Sequence, residues 1–273
     1  MKKLFFLLIL IGFSVAIGYS IRPEQSSSNQ EILTSSLPKR EILRFAIVTD
    51  SSGENQLLEK ALSQAKGAGV NFVIGLGDWT TVGTRADLLS AKKVFDESGF
   101  KYYVTAGDHD LWDSRDKKEE PLNNFIEVFG EPNSLIEQNG IKIVLIDNSD
   151  IYKGLGEKTW DFLDKAFWEK AKLTFVAAHK TPFHPESKHI MGAQSVDVAN
   201  QAQRLMKILR ENSIDGFFSG DIHFFARFNT EDEKIKITTI GAVARERNFQ
   251  GPRFGIVKVF SDYTWEVEDV EIR

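Results

Sequence analysis

The sequence predicts an α/β fold: a four-layer αββα sandwich of two mixed β-sheets flanked by helices. Two features of the chain order carry that expectation. Over most of the chain, short apolar runs rich in β-branched residues alternate with stretches of helical spacing. That is the pattern of βα units around parallel strands buried on both faces. After Ser219 the apolar runs follow one another with no helix between them. A β-rich tail behind a set of βα units calls for two sheets packed face to face, with the helices outside.

The elements follow in order. Leu43 to Val48 is a continuous apolar run broken only by Arg44, hence a buried strand, and it ends in Thr49-Asp50-Ser51-Ser52-Gly53. Leu57, Leu58, Ala61, Leu62 and Ala65 have helical spacing over Asn55–Lys66, and Gly67 and Gly69 stop that helix. Phe72 to Leu76 is a second strand, ending in Gly77-Asp78-Trp79. Thr84 to Ser98 reads as a helix with Leu88, Leu89, Ala91, Val94 and Phe95 inward. Tyr102 to Thr105 is a third strand, which opens into Ala106-Gly107-Asp108-His109-Asp110 and a polar loop. Leu122–Phe129 is a short helix closed by Gly130. Asn139-Gly140 lies between the apolar runs Ser134–Glu137 and Ile141–Ile146, a strong hairpin signal. Glu157–Lys170 reads as a helix with Trp160, Leu163, Phe167 and Trp168 on its inner face. Leu173–Ala178 is a strand ending in His179; a long loop, a helix over Val196–Arg210 and a strand over Gly216–Ser219 lead to Gly220-Asp221-Ile222-His223. Four strands are expected in the tail: Phe224–Phe228, Ile235–Ile240, Phe254–Phe260 and Thr264–Val270.

Bulk composition narrows the function. The net charge is −5, so no broad basic surface is expected and nucleic acid is not an expected partner. There is no cysteine, which excludes disulfides, thiolate catalysis, Cys-ligated zinc or iron–sulfur sites and an acylated lipoprotein anchor. Residues 1–20 have a basic start, an apolar middle and small residues at Ala16, Gly18 and Ser20, the layout of a secretory signal peptide. The alternative is an uncleaved membrane anchor, since the run from Leu4 to Ile21 is near the lower limit of the ~17–25 residues that span a bilayer. Both place the protein outside the cytoplasm, secreted or tethered, with membrane contact only through this segment if it stays. Residues 21–40, rich in Ser, Gln, Glu and Asn, read as a flexible linker. The domain is expected over 41–273, with no second linker and no internal repeat.

The strand ends point to chemistry. They carry Asp50, Asp78, Asp108 with His109, His179, and Asp221 with His223. Taken singly, Asp50 or Asp78 would serve equally well as a helix N-cap. Taken together, five strand ends all bearing carboxylate or imidazole suit two divalent ions, which clamp attacking and leaving oxygens and activate water. In open α/β sheets, ligands bind beyond the carboxyl ends of the strands.

These stretches resemble the calcineurin-like metallophosphoesterases, which carry Asp-x-His, Gly-Asp, Gly-Asn-His-[Asp/Glu], a lone His after a strand, and Gly-His-x-His, in that order. The matching stretches are Asp50-Ser51-Ser52, Gly77-Asp78, Gly107-Asp108-His109-Asp110, Ala178-His179 and Gly220-Asp221-Ile222-His223. Three positions depart from the pattern: Ser52 stands for His, Asp108 for Asn, and Asp221 for the first His of the last motif. The purple acid phosphatases, which also lack the first-motif His, supply a Tyr three residues after the second-motif Asp; Thr81 is there in this chain.

The resemblance implies a metal-dependent phosphoesterase that cleaves a phosphomonoester or phosphodiester by in-line attack of a metal-activated water. It implies that Asp78 bridges the ions, that Asp50 and His223 hold the first, and that Asp108, His179 and Asp221 join Asp78 on the second. His109 is implied as the catalytic group, oriented by Asp110 or Asp50. One or two divalent ions per chain are expected. Four aspartates favour Mn²⁺ or Mg²⁺, with Fe or Zn as alternatives, and the better-supplied second site should fill first. The expected substrate is a small-molecule or envelope-associated phosphate ester. Ser52, His184 and His189 read as turn or surface residues, and Lys180, Arg245, Arg247 and Arg253 as solvated loop charge. The rival expectation is a catalytically weak or silent domain that keeps the fold and serves in binding at the cell envelope.

Overall fold

In the computed structural model, which describes residues 39–273, the strand β1 (Glu41–Val48) shows how both faces of a sheet come to be buried. Successive side chains of a strand point to opposite faces. Phe45 and Ile47 go to one face and Ala46 and Val48 to the other, and all four are fully buried. The chain continues through α1 (Asn55–Gly67), β2 (Phe72–Gly75), α2 (Arg85–Ser98) and β3 (Tyr102–Val104). A 3₁₀ turn at His109–Leu111, α3 (Trp112–Asp116) and α4 (Asn123–Phe129) follow. Then come the hairpin β4 (Ser134–Gln138) and β5 (Ile141–Leu145), α5 (Glu157–Ala166), β6 (Leu173–Ala178), α6 (Val196–Glu211) and β7 (Gly216–Ser219). The tail is β8 (Ala226–Asn229), β9 (Lys236–Thr239), β10 (Arg253–Phe260) and β11 (Trp265–Glu271).

Two mixed sheets result, in the orders β11-β10-β1-β2-β3 and β4-β5-β6-β7-β9-β8. In the first, β1, β2 and β3 are parallel and the β10–β11 hairpin is antiparallel. In the second, β5, β6, β7 and β9 are parallel and β4 and β8 form antiparallel edges. The tail is thus divided: β8 and β9 extend the second sheet, while β10 and β11 return to the first beside β1. Phe45, Ile47, Ile74, Leu145, Phe175, Phe218 and Val257 fill the space between the sheets. The outer face of the first sheet packs on Leu58, Leu88, Phe95 and Phe125 of its helices, and that of the second on Leu163, Val198, Leu205 and Leu209. This is the expected αββα sandwich.

Local chemistry explains the boundaries. Asn139 and Gly140 both have positive φ, 55° and 79°, as a two-residue hairpin turn requires. Thr84 caps α2 by accepting the Asp87 amide at 3.2 Å. Three sequence expectations need correction. The helix expected to reach Lys170 stops at Ala166, because the buried Lys142 ammonium takes the Ala166 and Glu169 carbonyls at 2.7 and 2.5 Å. Trp168 therefore leaves the inner face and is 87% exposed. Leu89, expected inward on α2, is also exposed, since Leu88, Ala91 and Phe95 define the buried stripe. The polar loop after His109 contains the short α3, which no apolar period announces. The expected signal or anchor and all but the end of the linker lie outside the described residues.

Phe45 stacks on Phe72 at 5.3 Å and lies within 6.4 Å of Phe175 and Phe218. Phe45→Ala should therefore destabilise the domain by about 3–5 kcal/mol. Trp168→Ala should stay within about 0.5 kcal/mol of wild type. Urea denaturation of the two variants checks both, and equal losses would contradict this assignment of core and surface.

Candidate metal centre

The parallel strands of both sheets end at one rim, and the loops that leave them turn sharply. Asp50, Ser52, Asp78, Asp221 and His223 all have left-handed backbone, with φ between 45° and 68°. Asp tolerates this conformation better than most residues; such strain persists where the surroundings hold it and gathers at functional sites. Here the loops hold one another. The Asp50 amide donates to the Gly77 carbonyl at 2.9 Å and the Ser52 amide to the Asp78 carbonyl at 2.9 Å. The Gly220 amide donates to the His179 carbonyl at 2.9 Å, and the Ala244 amide to that of Asp50 at 2.9 Å. Asp50 and Asp78 cap no helix: the N-cap residue of α1 is Glu54 and that of α2 is Thr84.

Two glycines in these turns have a steric role. Gly77 has φ 96°, and a Cβ there would lie 2.3 Å from the Gly107 nitrogen. A Cβ on Gly107 would lie 2.0 Å from Asp78 Oδ1. The two Gly-Asp turns pack so closely that neither position admits a side chain.

The expected ligands converge. Two sets of donor atoms each lie within 4.8 Å of one another: Asp50, Asp78 and His179, and Asp108, His179 and Asp221. His223 is outside both tight sets, with Nε2 3.7 Å from Asp50 Oδ1. His179 Nε2 is 3.3 Å from Asp108 Oδ1 and 3.6 Å from both Asp78 Oδ1 and Asp221 Oδ1. His179 Nδ1 donates to the Leu76 carbonyl at 2.7 Å and His223 Nδ1 to that of Glu246 at 3.0 Å. A metal-ligating imidazole is held in this way, its second nitrogen tied to a backbone carbonyl. Asp50 Oδ1 and Asp221 Oδ2 are buried without a hydrogen-bond partner. Buried polar atoms are rarely left so. Orphan carboxylate oxygens and anchored imidazoles together fit a divalent cation. Ser52 lines the cleft in the turn the sequence suggested.

His109 is positioned differently from the expectation. Its Nδ1 donates to the Thr81 carbonyl at 2.9 Å, and its ring stacks on Trp112 with centroids 4.0 Å apart. Its backbone amide donates to Asp78 Oδ1 at 3.0 Å. Among the described residues no acid orients the ring. Asp110 turns inward instead, accepting the amides of Gly107, Trp79 and Thr80 at 3.0, 3.3 and 3.1 Å and the Thr80 hydroxyl at 3.2 Å. Asp50 is occupied with the Thr49 hydroxyl and the Asp221 amide, at 2.8 and 3.1 Å.

Two residues read as surface positions belong to the centre. Lys180 is only 2% exposed, and its Nζ donates to Asp221 Oδ1 at 2.7 Å and Asp108 Oδ1 at 3.1 Å. The Nε2 of His189 reaches Asp221 Oδ1 at 3.1 Å. In an extended strand the residue after His179 would point away from it. The chain bends at His179–Lys180, which cancels that alternation. Of the other residues expected as loop charge, Arg245 pairs with Glu54 and Arg247 lines the cleft, while Arg253 opens β10 and pairs with Asp269. That cleft, about 580 Å³, is walled by Ser52, His109, Trp112, His189, Glu246 and Arg247 among others.

Charge and burial set the protonation of the centre. Burial raises Asp78 well above the usual carboxylate range, against the pull of His179. Burial also opposes ionisation of Asp108, but the His179 hydrogen bond and the Lys180 charge hold it well below that range. Asp221 is held at about 2, its burial outweighed by Lys180 and the His189 hydrogen bond. His179 and Lys180 rise in turn, burial being overcome chiefly by Asp78 for the first and by Asp221 for the second. Burial pushes Asp110 up to about 6 in spite of its amide donors.

A family model described as calcineurin-like phosphoesterase matches residues 43–225, more than half of the chain. No curated protein matches it in sequence. Among solved structures, a dimetal phosphatase from Danio rerio is similar at 13% identity and TM-score 0.61, covering 86% of this chain and 100% of its own. A purple acid phosphatase from yellow lupin (Lupinus luteus) seeds is similar at 12% identity and TM-score 0.63; the match covers 84% of this chain and 51% of the lupin enzyme. A Plasmodium protein described as GAP50, the anchor in the inner membrane complex, is similar at 14% identity and TM-score 0.55, covering 86% and 90%. At these identities the structural likeness speaks for the fold.

Asp110 satisfies three buried amides, and each would lose its acceptor in Asp110→Ala. A buried donor left unsatisfied costs about 1–3 kcal/mol. Asp110→Ala should therefore lower stability by about 3 kcal/mol or more in urea denaturation of metal-free protein. A change within about 0.5 kcal/mol would show that the turn does not depend on this carboxyl.

Proposed function

We infer the activity from one premise: the chain belongs to the calcineurin-like phosphoesterase family. It is a metal-dependent phosphoric ester hydrolase. We propose that it cleaves a small-molecule phosphate ester, mono- or diester, by in-line attack of water, with His109 as the general acid. The observation that carries this reading is the way His109 is held. Nδ1–H is committed to the Thr81 carbonyl and Trp112 fixes the ring plane, so Nε2 is the atom left to carry a proton. The His109 amide is tied to Asp78, which keeps the ring at the edge of the carboxylate cluster.

When bound, a divalent ion supplies charge stabilisation and activates water. The chain's own residues do the rest. Asp50, Asp78, Asp108, Asp221, His179 and His223 make up the donor set. His109 Nε2 delivers a proton to the departing ester oxygen. Arg247 offers positive charge on the cleft wall toward the ester's remaining oxygens. A donor set rich in carboxylate favours Mn²⁺ or Mg²⁺ over Zn²⁺. The basic, apolar start of the chain supports export, and with it an extracytoplasmic substrate.

General acid catalysis is typically worth ~10²–10⁴ in rate. His109→Ala should lower kcat by about that factor on the best ester, with metal per chain unchanged. Unaltered turnover removes His109 from the mechanism, and loss of metal makes it a ligand. A wild-type protein loaded with Mn²⁺ or Mg²⁺ that turns over no ester in a broad screen would favour the rival reading, a binding domain that keeps the fold. Export has its own test: a fusion of residues 1–40 to a reporter should cross the membrane, and cytoplasmic retention would end that proposal.

A further inference from the structure

The Lys180 ammonium occupies a place that a divalent ion on the Asp108–His179–Asp221 set would need. Its Nζ is 2.7 Å from Asp221 Oδ1 and 3.1 Å from Asp108 Oδ1, and it is buried. These are the same two oxygens that lie 3.6 and 3.3 Å from His179 Nε2. Asp221 Oδ1 also receives His189 Nε2 at 3.1 Å, so it is crowded with donors. The lysine is built in and does not stray there from solvent. Its amide donates to Asn148 Oδ1 at 2.9 Å and its carbonyl accepts from Asn148 Nδ2 at 2.7 Å. Asn148, in the loop after β5, is itself buried, as is Thr181 on the other side. With the backbone clamped there, the four-carbon stem delivers the charge between the two carboxylates. The Asp50–Asp78 side differs: each side has one orphan carboxylate oxygen, Asp50 Oδ1 and Asp221 Oδ2, but among the described residues no lysine or arginine pairs with Asp50 or Asp78.

We propose that Lys180 Nζ is a resident cation in the second position of the centre, so that the chain binds a single divalent ion, on the Asp50–Asp78 side. This rests on the metal-dependent reading above and reverses the filling order expected from ligand count alone. Asp108 and Asp221 then serve as counter-charges to the lysine, and His179 is the donor shared between the two positions. An ammonium is compact and strongly hydrated in water, but here two carboxylates replace its hydration shell. An ion bound at the same oxygens would need the lysine to leave a pocket in which its charge is matched.

The test counts ions and does not depend on turnover. Full chain is equilibrated with excess Mn²⁺, dialysed, and analysed for bound Mn per chain and by electron paramagnetic resonance. Wild type should hold one ion per chain with an uncoupled signal. Lys180→Ala should hold two, with a spin-coupled signal. Lys180→Met keeps the stem and removes the charge, and should also hold two; Lys180→Arg keeps the charge and should hold one. Circular dichroism checks that each variant is folded, and the Met and Arg variants decide the matter if the Ala variant is not. Two ions in wild type overturn the proposal and leave the metal-dependent reading standing. One ion in wild type and in both charge-removed variants overturns it as well. No bound ion in any of them removes the metal-dependent reading and this proposal with it.

Discussion

Four buried carboxylates at one rim are the constraint on which the rest of this structure depends. Asp50, Asp78, Asp108 and Asp221 are all buried and fall in two donor sets that share His179. Two like charges ~4 Å apart repel by about 4 kcal/mol at an effective dielectric of ~20. Against a domain stability of about 5–15 kcal/mol, several such pairs could not stand without positive charge among them. The upward shifts of Asp78 and His179 and the buried Lys180 ammonium are the chain's own answers to that repulsion. A divalent cation is the other.

The fold holds these groups together by edge geometry. Parallel strands from two sheets end at one rim, so loops distant in sequence meet there. The aromatic contact of Phe45 with Phe72, Phe175 and Phe218 ties the sheets behind that rim. Backbone hydrogen bonds between the loops over-determine the left-handed residues, and Asp110 fastens the His109 turn to the Trp79–Thr80 turn. The core thus supplies rigidity, and the loops spend some of it on strained turns that aim side chains inward.

The same arrangement shows why the fold does not decide the chemistry. The sandwich is shared with phosphatases and with a protein described as an anchor, at sequence identities of 12–14%. What the fold leaves open is the balance of charge inside the rim, here three carboxylates beyond Asp78, one imidazole shared by the two donor sets, and a lysine clamped by Asn148. The Trp112 ring beside His109 belongs to the short α3 in the segment after β3, and the Arg247 side chain on the cleft wall to the loop before β10.

Much of this was legible in the sequence because it is local. Continuous apolar runs mark strands buried on two faces, Asn139-Gly140 marks a hairpin, and a Gly-Asp pair at a strand end marks a turn with a chelating side chain. Those signals determined the sandwich and the family resemblance, and they placed carboxylates and imidazoles at the strand ends that the structure brings to one rim. Tertiary structure alone decided what depends on partners far along the chain. Lys180 meets Asp108 across 72 positions and His109 meets the Thr81 carbonyl across 28, and neither partner leaves a mark beside the residue it controls. The bend after β6 turned a lysine inward where strand alternation would have sent it out, and Lys142 ended α5 from another strand. Periodicity reports how a segment lies on its own layer; which charges share a buried site is settled only when the layers close.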